Sequence, residues 1–121
     1  MNNLDIYCVT DKKLSFLEKT SLKLVGVGQE NFSKRYLKCD NKDNIYYKEK
    51  YFSELTFHYW YWKNILPTEK SKWVGFCQKR RFWIKSNKKV NNFNDLKRNI
   101  LIKAPSAWKN YQSIICKPIK V

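Results

Sequence analysis

Two adjacent arginines, Arg80 and Arg81, directly follow an apolar segment and the polar pair Gln78-Lys79. A guanidinium group donates paired hydrogen bonds to phosphate or carboxylate oxygens, so this pair suits a phosphate-bearing ligand. A structural alternative is also open, in which one arginine faces solvent and the other pairs with a helix carboxylate such as Glu54. The spacing of the residues does not choose between these two hypotheses.

Glu54 and His58 lie four residues apart in a segment predicted to be helical and rich in aromatic residues. A carboxylate among aromatic side chains needs a partner or a function, because burying an unpaired charge is costly. Glu54 is therefore a candidate acid or base catalyst. His58 is either a second such group or a hydrogen-bonded core residue. The sequence has neither a Gly-rich phosphate loop nor a Ser-His-Asp motif.

The residues that bind metals are too widely spaced to predict a metal site. The four cysteines are far apart in the sequence: Cys8, Cys39, Cys77 and Cys116. Zinc sites use close ligand pairs, so we expect all except Cys39, which lies in a polar stretch, to be small buried residues of strands. Asp40 and Asp43 are separated by two residues and predict a turn rather than an Asp-x-Asp motif. No cofactor is evident, although the sequence leaves a divalent metal open.

Charge is the strongest feature of the composition. The 121 residues include 25 Lys+Arg and 10 Asp+Glu, which gives a net charge of +15. Such a field attracts nucleic acid, nucleotide phosphates or an acidic membrane surface, unless the dispersed lysines only solvate the surface. An aromatic content of 17% excludes ordinary disorder. With no apolar run of about 20 residues and no signal-peptide pattern, we expect a cytoplasmic, single-domain protein over residues 1–121.

The apolar segments predict which elements position these groups. Residues 4–10, 22–28, 73–77 and 99–103 predict strands. Residues 48–65 lack Gly and Pro and predict one long aromatic helix, buried between layers, with a single apolar stripe. That stripe consists of Tyr51, Leu55, Tyr59 and Trp62. The order strand, strand, helix, strand, strand favours an α/β fold, in which ligands bind at the carboxyl ends of strands.

Three ordered blocks carry a resemblance to a known family: residues 6–12, 44–64 and 74–82. The middle block contains Glu-Leu-Thr-x-x-Tyr-Trp-x-Trp-Lys-Asn and the last contains the two arginines. Together they resemble the bacterial domain-of-unknown-function family 4422, which is found in capsular-polysaccharide and lipopolysaccharide gene clusters. Its members are regarded as glycosyltransferases of the GT-A type.

The resemblance implies a Rossmann-like GT-A half-domain, with a mixed or parallel sheet and a long aromatic helix. Residues 4–83 would form the donor-binding half and residues 84–121 an extension. Because the chain has about half the usual length of such domains, we expect a truncated, partial or diverged form, with activity uncertain. The complete reaction would transfer a sugar from a nucleoside diphosphate to a glycan or lipid-linked acceptor, in the cytoplasm or at the inner face of the membrane.

The resemblance also implies a set of site residues. Thr10, Asp11 and Lys12 would lie near the nucleoside. The other matching positions would line the site: Asn44, Glu54, Lys63, Arg80 and Arg81. Cationic side chains there would neutralise the leaving diphosphate, and Glu54, the candidate catalytic residue, would orient an arginine or contact a sugar hydroxyl. The sequence departs from the family pattern where Asp11 replaces a histidine and Gln78-Lys79 replaces His-Tyr.

Two other functions remain open from the sequence. A non-enzymatic basic module would bind single-stranded nucleic acid through lysines and exposed aromatic rings, although no RNA-binding signature is present. Alternatively, a diverged half-domain would fold only with a partner chain that completes it.

Overall fold

The computed structural model describes residues 3–85 and 88–118, so residues 1, 2, 86, 87 and 119–121 of the predicted domain lie outside the description. Its sheet has four parallel strands in the order β3-β2-β1-β4. The strands are β1 (Leu4–Thr10), β2 (Lys23–Gly26), β3 (Leu37–Lys38) and β4 (Trp73–Gln78). The predicted α/β, Rossmann-like class is confirmed.

Short helices lie between the strands and after the last of them. They are α1 (Ser15–Glu18), α2 (Glu49–Phe52), α3 (Leu55–Asn64) and α4 (Phe93–Asn99), with 3-10 turns at Tyr46–Lys48, Leu66–Thr68 and Ser106–Asn110. No helix in the described part of the chain has the length and apolar character needed to cross a membrane.

β1 is the centre of the sheet and is covered on both faces. Leu4, Ile6 and Cys8 belong to one buried cluster, which also contains Leu17 of α1. Tyr7 and Val9 belong to the other, with three residues of α3: Phe57, Trp60 and Tyr61. Parallel strands covered on both faces have nearly continuous apolar sequences, which explains why β1 and β4 were predicted at almost their observed bounds.

The single long helix predicted over 48–65 is wrong. The helix is interrupted at Ser53, whose φ of 46° ends α2 before α3 begins. The predicted buried stripe is also wrong, because Tyr51, Leu55 and Trp62 are 77%, 54% and 54% exposed. The helix instead buries Thr56, Phe57, Trp60 and Tyr61. Aromatic residues lie on both the buried and the exposed sides of α3, so the sequence period does not define which face is buried.

Two predictions for the carboxyl-terminal part are also corrected. Residues 99–103 form no strand; Ile100 makes an isolated antiparallel bridge to Ile84. α4 precedes it and begins at Asn92, whose side chain accepts a hydrogen bond from the Asp95 N–H at 2.9 Å. Cys116, predicted to be buried in a strand, is exposed.

Candidate functional site

The strand order creates a crevice between β1 and β4. From β1 the chain continues to β2 and β3 on one side, and then returns to place β4 on the other side of β1. In open parallel sheets, ligands bind outside the carboxyl ends of the strands where the order reverses in this way. The fold alone therefore directs attention to the residues after Thr10 and Gln78.

A cleft of about 180 Å³ lies at this position. Its walls come from the end of β1 (Thr10 and Asp11), the break before α3 (Ser53 and Glu54), and the turn after β4 (residues 78–80), with Val9 and Val27 below. The structure thus brings together four of the predicted site residues: Thr10, Asp11, Glu54 and Arg80. We call this the strand-end cleft.

Thr10 fixes the turn that follows β1. It is buried, and its hydroxyl donates to the Lys12 carbonyl oxygen at 2.7 Å and accepts from the Lys12 N–H at 3.1 Å. Both bonds hold Asp11 at the apex of the turn, at the cleft. Lys12 is exposed and does not line the cleft, so its backbone supports the turn while its side chain faces solvent.

A tight turn after β4 presents the basic residues. The Arg81 N–H donates to the Gln78 carbonyl oxygen at 3.1 Å, and the Gln78 N–H donates back to the Arg81 carbonyl oxygen at 3.4 Å. Lys79 and Arg80 therefore occupy the tip. Arg80 lines the strand-end cleft and also a neighbouring open depression of about 770 Å³, which Arg81 lines with it. Of the two arginines, therefore, Arg80 lines both cavities and Arg81 lines only the depression.

Both carboxylates at the cleft have partners that are not arginines. Asp11 forms an ion pair with Lys79, and this hydrogen bond is the main reason why the pKa of Asp11 is lowered. Glu54 accepts a hydrogen bond from the Gln78 side-chain amide. In the described residues neither Arg80 nor Arg81 forms an ion pair. Their cationic groups therefore remain available to an anionic ligand.

Asn44 supports a neighbouring loop and lies outside the strand-end cleft. Its side-chain oxygen accepts from the Tyr46 N–H at 3.0 Å. The Tyr46 hydroxyl in turn accepts from the Gly28 N–H at 2.9 Å and donates to the Gly28 carbonyl oxygen at 3.1 Å. Gly28 has a φ of 93°, which favours glycine. Asn44 thus helps to hold the loop that follows β2.

Lys63 also lies away from the strand-end cleft. It is nine residues beyond Glu54 on α3, or roughly 14 Å along the helix axis at the usual rise. Its ammonium nitrogen is 3.8 Å from the centre of the Trp62 indole ring.

His58 is half-buried. The centre of its ring lies 4.7 Å from the centre of the Phe76 ring, and burial lowers the pKa of His58. Its surroundings are those of a core residue.

Sequence reasoning missed Ser53, Gln78 and Lys79 as cleft residues. Gln78 and Lys79 were regarded only as departures from a family pattern, yet their place at the end of a buried strand was a usable signal. Ser53 was not recognised, because residues 48–65 contain neither Gly nor Pro to mark the break in the helix. Within the described ranges, no group of three His, Cys, Asp or Glu side chains is placed to hold a metal ion.

The comparisons with known proteins give one match. A family model described as "Domain of unknown function (DUF4422)" matches residues 5–120. No curated protein and no solved structure shows significant similarity to the chain.

Proposed function

This chain belongs to the DUF4422 family, and we propose that it is glycosyltransferase-like: it binds a nucleoside diphosphate sugar for transfer to a glycan or lipid-linked acceptor. The observation that carries the proposal is the strand-end cleft, where Arg80 lies beside the end of β1 and has no ionic partner among the residues that the structure describes. We propose with it that the protein acts in the cytoplasm at the inner face of the membrane, because a lipid-linked acceptor would be reached there.

The diphosphate is the part of such a ligand that the cleft suits best. When a glycosidic bond to a nucleoside diphosphate breaks, negative charge builds up on the leaving phosphate oxygens. Guanidinium groups held in position beside those oxygens stabilise this charge as it develops. Arg80 and Arg81 are consecutive on one tight turn and both line the depression beside the cleft, so both guanidinium groups could contact one diphosphate.

Glu54 and Asp11 would contact the uncharged parts of the ligand. A carboxylate accepts hydrogen bonds from sugar and ribose hydroxyls. Gln78 holds Glu54 at the wall of the cleft, where it would orient the sugar or take a proton from the incoming hydroxyl. Asp11, at the apex of the turn after β1, would accept from the nucleoside ribose.

Calorimetry with a panel of uridine, guanosine, thymidine and cytidine nucleotide sugars, with and without Mg²⁺, tests this function. We expect the protein to bind at least one donor. Arg80→Ala should weaken that binding about 10- to 100-fold, the value of a hydrogen bond to a charged group. Arg98→Ala is the matched control, because it removes the same charge from an exposed site on α4. Equal affinity in Arg80→Ala and Arg98→Ala would contradict the diphosphate role.

A further inference from the structure

The exposed side of residues 47–66 carries an unusual number of large apolar side chains. The most exposed are Tyr47 (78%), Tyr51 (77%), Leu55 (54%), Trp62 (54%) and Leu66 (50%). We call them, together with Lys48, Lys50 and Lys63, the lysine–aromatic surface. Exposed apolar patches of this kind mark surfaces that bind a partner or a membrane.

Several of these side chains are neighbours in space. Leu55, Tyr59, Trp62 and Leu66 follow at helical spacing along α3 and the turn after it, so they share one side. The rings of Tyr59 and Trp62 meet edge to face, with 5.8 Å between their centres.

Lysine ammonium groups lie over these rings. The Nζ atoms of Lys48, Lys50 and Lys63 are 5.6, 5.9 and 3.8 Å from the ring centres of Tyr47, Tyr51 and Trp62. The positive groups are thus mixed into the apolar surface rather than segregated from it.

Of the three neighbouring carboxylates, those of Glu49 and Glu54 are directed away from the surface, and that of Asp43 lies at it beside Tyr59. A Glu49 oxygen would lie 3.6 Å from a Cβ placed on Gly28, so this side chain turns toward the loop after β2. Glu54 is bonded to Gln78, and Asp43 accepts from the Tyr59 hydroxyl. The outward-facing charge of the surface is therefore mainly positive.

We propose that the lysine–aromatic surface binds an anionic lipid bilayer. Trp and Tyr rings prefer the headgroup level of a membrane, where their apolar bodies and polar edges are both satisfied. Leu55 and Leu66 add apolar area that enters the acyl boundary. The three lysine ammonium groups, which lie over the rings, would meet the lipid phosphates at the same headgroup level. The net charge of +15 attracts the protein to a negative surface.

A bilayer fits this surface better than single-stranded nucleic acid. Base stacking needs an open aromatic face, but ammonium groups lie over the rings of Tyr47, Tyr51 and Trp62. Leu55 and Leu66 offer no stacking face. Both features suit lipid, in which rings enter edgewise among headgroups and aliphatic side chains meet acyl carbon.

The position of the surface gives it a functional use. Leu55 directly follows Glu54, which lines the strand-end cleft. A bilayer bound to the surface would therefore lie next to the cleft, where a lipid-linked acceptor could reach it; this last point alone rests on the proposed function.

Flotation of the full chain with vesicles, in the absence of nucleotide, tests membrane binding. We expect binding to phosphatidylcholine vesicles that contain phosphatidylglycerol, and much weaker binding to phosphatidylcholine alone. The Tyr51→Ser/Trp62→Ser variant should bind vesicles at least about tenfold more weakly, since apolar area removed from water supplies the affinity. Tyr111→Ser is the matched control, because Tyr111 is 62% exposed in a different segment.

A lysine series separates this surface from the general charge of the protein. Replacing Lys48, Lys50 and Lys63 by Gln should weaken vesicle binding roughly a hundredfold, from the attraction each basic residue has for an anionic surface. The control triple variant replaces the exposed Lys97, Lys103 and Lys109 and should lose much less. Near-ultraviolet circular dichroism of each variant verifies that the fold is retained.

Three results would overturn the proposal. The first is equal vesicle binding by surface and control variants. The second is tighter binding to a single-stranded oligonucleotide than to vesicles, lost in the same surface variants. The third is light scattering that shows a dimer dissociated by Tyr51→Ser/Trp62→Ser. Because the vesicle assay contains no nucleotide and calorimetry contains no lipid, failure of one proposal leaves the other independently tested.

Discussion

The amino and carboxyl edges of the parallel sheet use similar polar residues in opposite ways. At the amino edge, Glu69 accepts hydrogen bonds from the Tyr61 hydroxyl at 2.8 Å and from the Ser71 N–H at 3.0 Å. Asp5 accepts from the Ser71 hydroxyl and lies 3.3 Å from the Lys23 ammonium nitrogen. These charges are satisfied within the fold and join the loop before β4 to β1.

The carboxyl edge has more cationic groups than carboxylates to pair with them. Asp11 pairs with Lys79 and Glu54 with Gln78, while Arg80 and Arg81 have no ionic partner among the described residues. The comparison teaches that charged residues alone do not identify a site. A closed network stabilises the fold, whereas an unpaired cation beside a cleft at the strand-order reversal is available to a ligand.

Glu69→Ala should give the largest effect on stability. It removes the acceptor of the buried Tyr61 hydroxyl and of two backbone N–H groups. We expect the free energy of unfolding to fall by about 3 kcal/mol, because buried donors left without partners are costly. Urea denaturation measures this, with Glu69→Gln as the milder control. Donor affinity should be unchanged; a loss of affinity would break the separation of the two edges.

Asp5→Ala should have the next largest effect. The side chain of Asp5 is only 13% exposed, and its removal leaves the Ser71 hydroxyl without its acceptor and Lys23 without its pair. We expect a loss of about 1–2 kcal/mol in the free energy of unfolding, because charged hydrogen bonds contribute this much. An unchanged denaturation midpoint would show that the amino edge is not the closed network described above.

Asp11→Ala should hardly change stability. Its side chain is 54% exposed, and exposed ion pairs contribute at most about 1 kcal/mol. We expect the denaturation midpoint to stay within that limit, while donor binding changes because Asp11 lies at the cleft. A stability loss as large as that of Glu69→Ala would mean that the carboxyl edge is also a structural network.

The pH dependence of stability should distinguish the amino edge from the carboxyl edge by a smaller effect. Burial opposes ionisation of Glu69, but hydrogen bonds from Ser71 and Tyr61 outweigh it and lower the pKa of Glu69. A lowered folded-state pKa gives stability that is present above the unfolded value near 4.5 and is lost as pH falls through the folded value. Denaturation midpoints measured as a function of pH should therefore fall in acid, and Glu69→Gln should flatten this slope more than Asp11→Asn. The opposite order would contradict the contrast.

The sequence was sufficient to predict the strands β1 and β4, because buried parallel strands are recognisable as short apolar runs. It was insufficient for residues 48–65, where aromatic residues occupy every side and neither the break at Ser53 nor the buried face is encoded in the period. α4 was missed although Asn92 and Asp95 were a readable start signal.

The candidate site was predictable to the extent that it follows strand ends. Thr10, Asp11 and Arg80 met at the strand-end cleft because parallel strands bring their carboxyl ends to one edge. Asn44 and Lys63 lie elsewhere, since a matching motif position does not specify where a loop or helix places its side chain. The Glu54–Gln78 pair depends on tertiary packing that local sequence patterns do not contain.

The most direct measurement is amide chemical-shift mapping of the ¹⁵N-labelled full chain, titrated with the nucleoside diphosphate of the donor that calorimetry identifies. The account predicts that the largest shifts fall on residues 10–12, 53–54 and 78–81, with residues 69–71 at the amino edge unchanged. Shifts centred on the amino edge or on the lysine–aromatic surface, with none at residues 78–81, would contradict it.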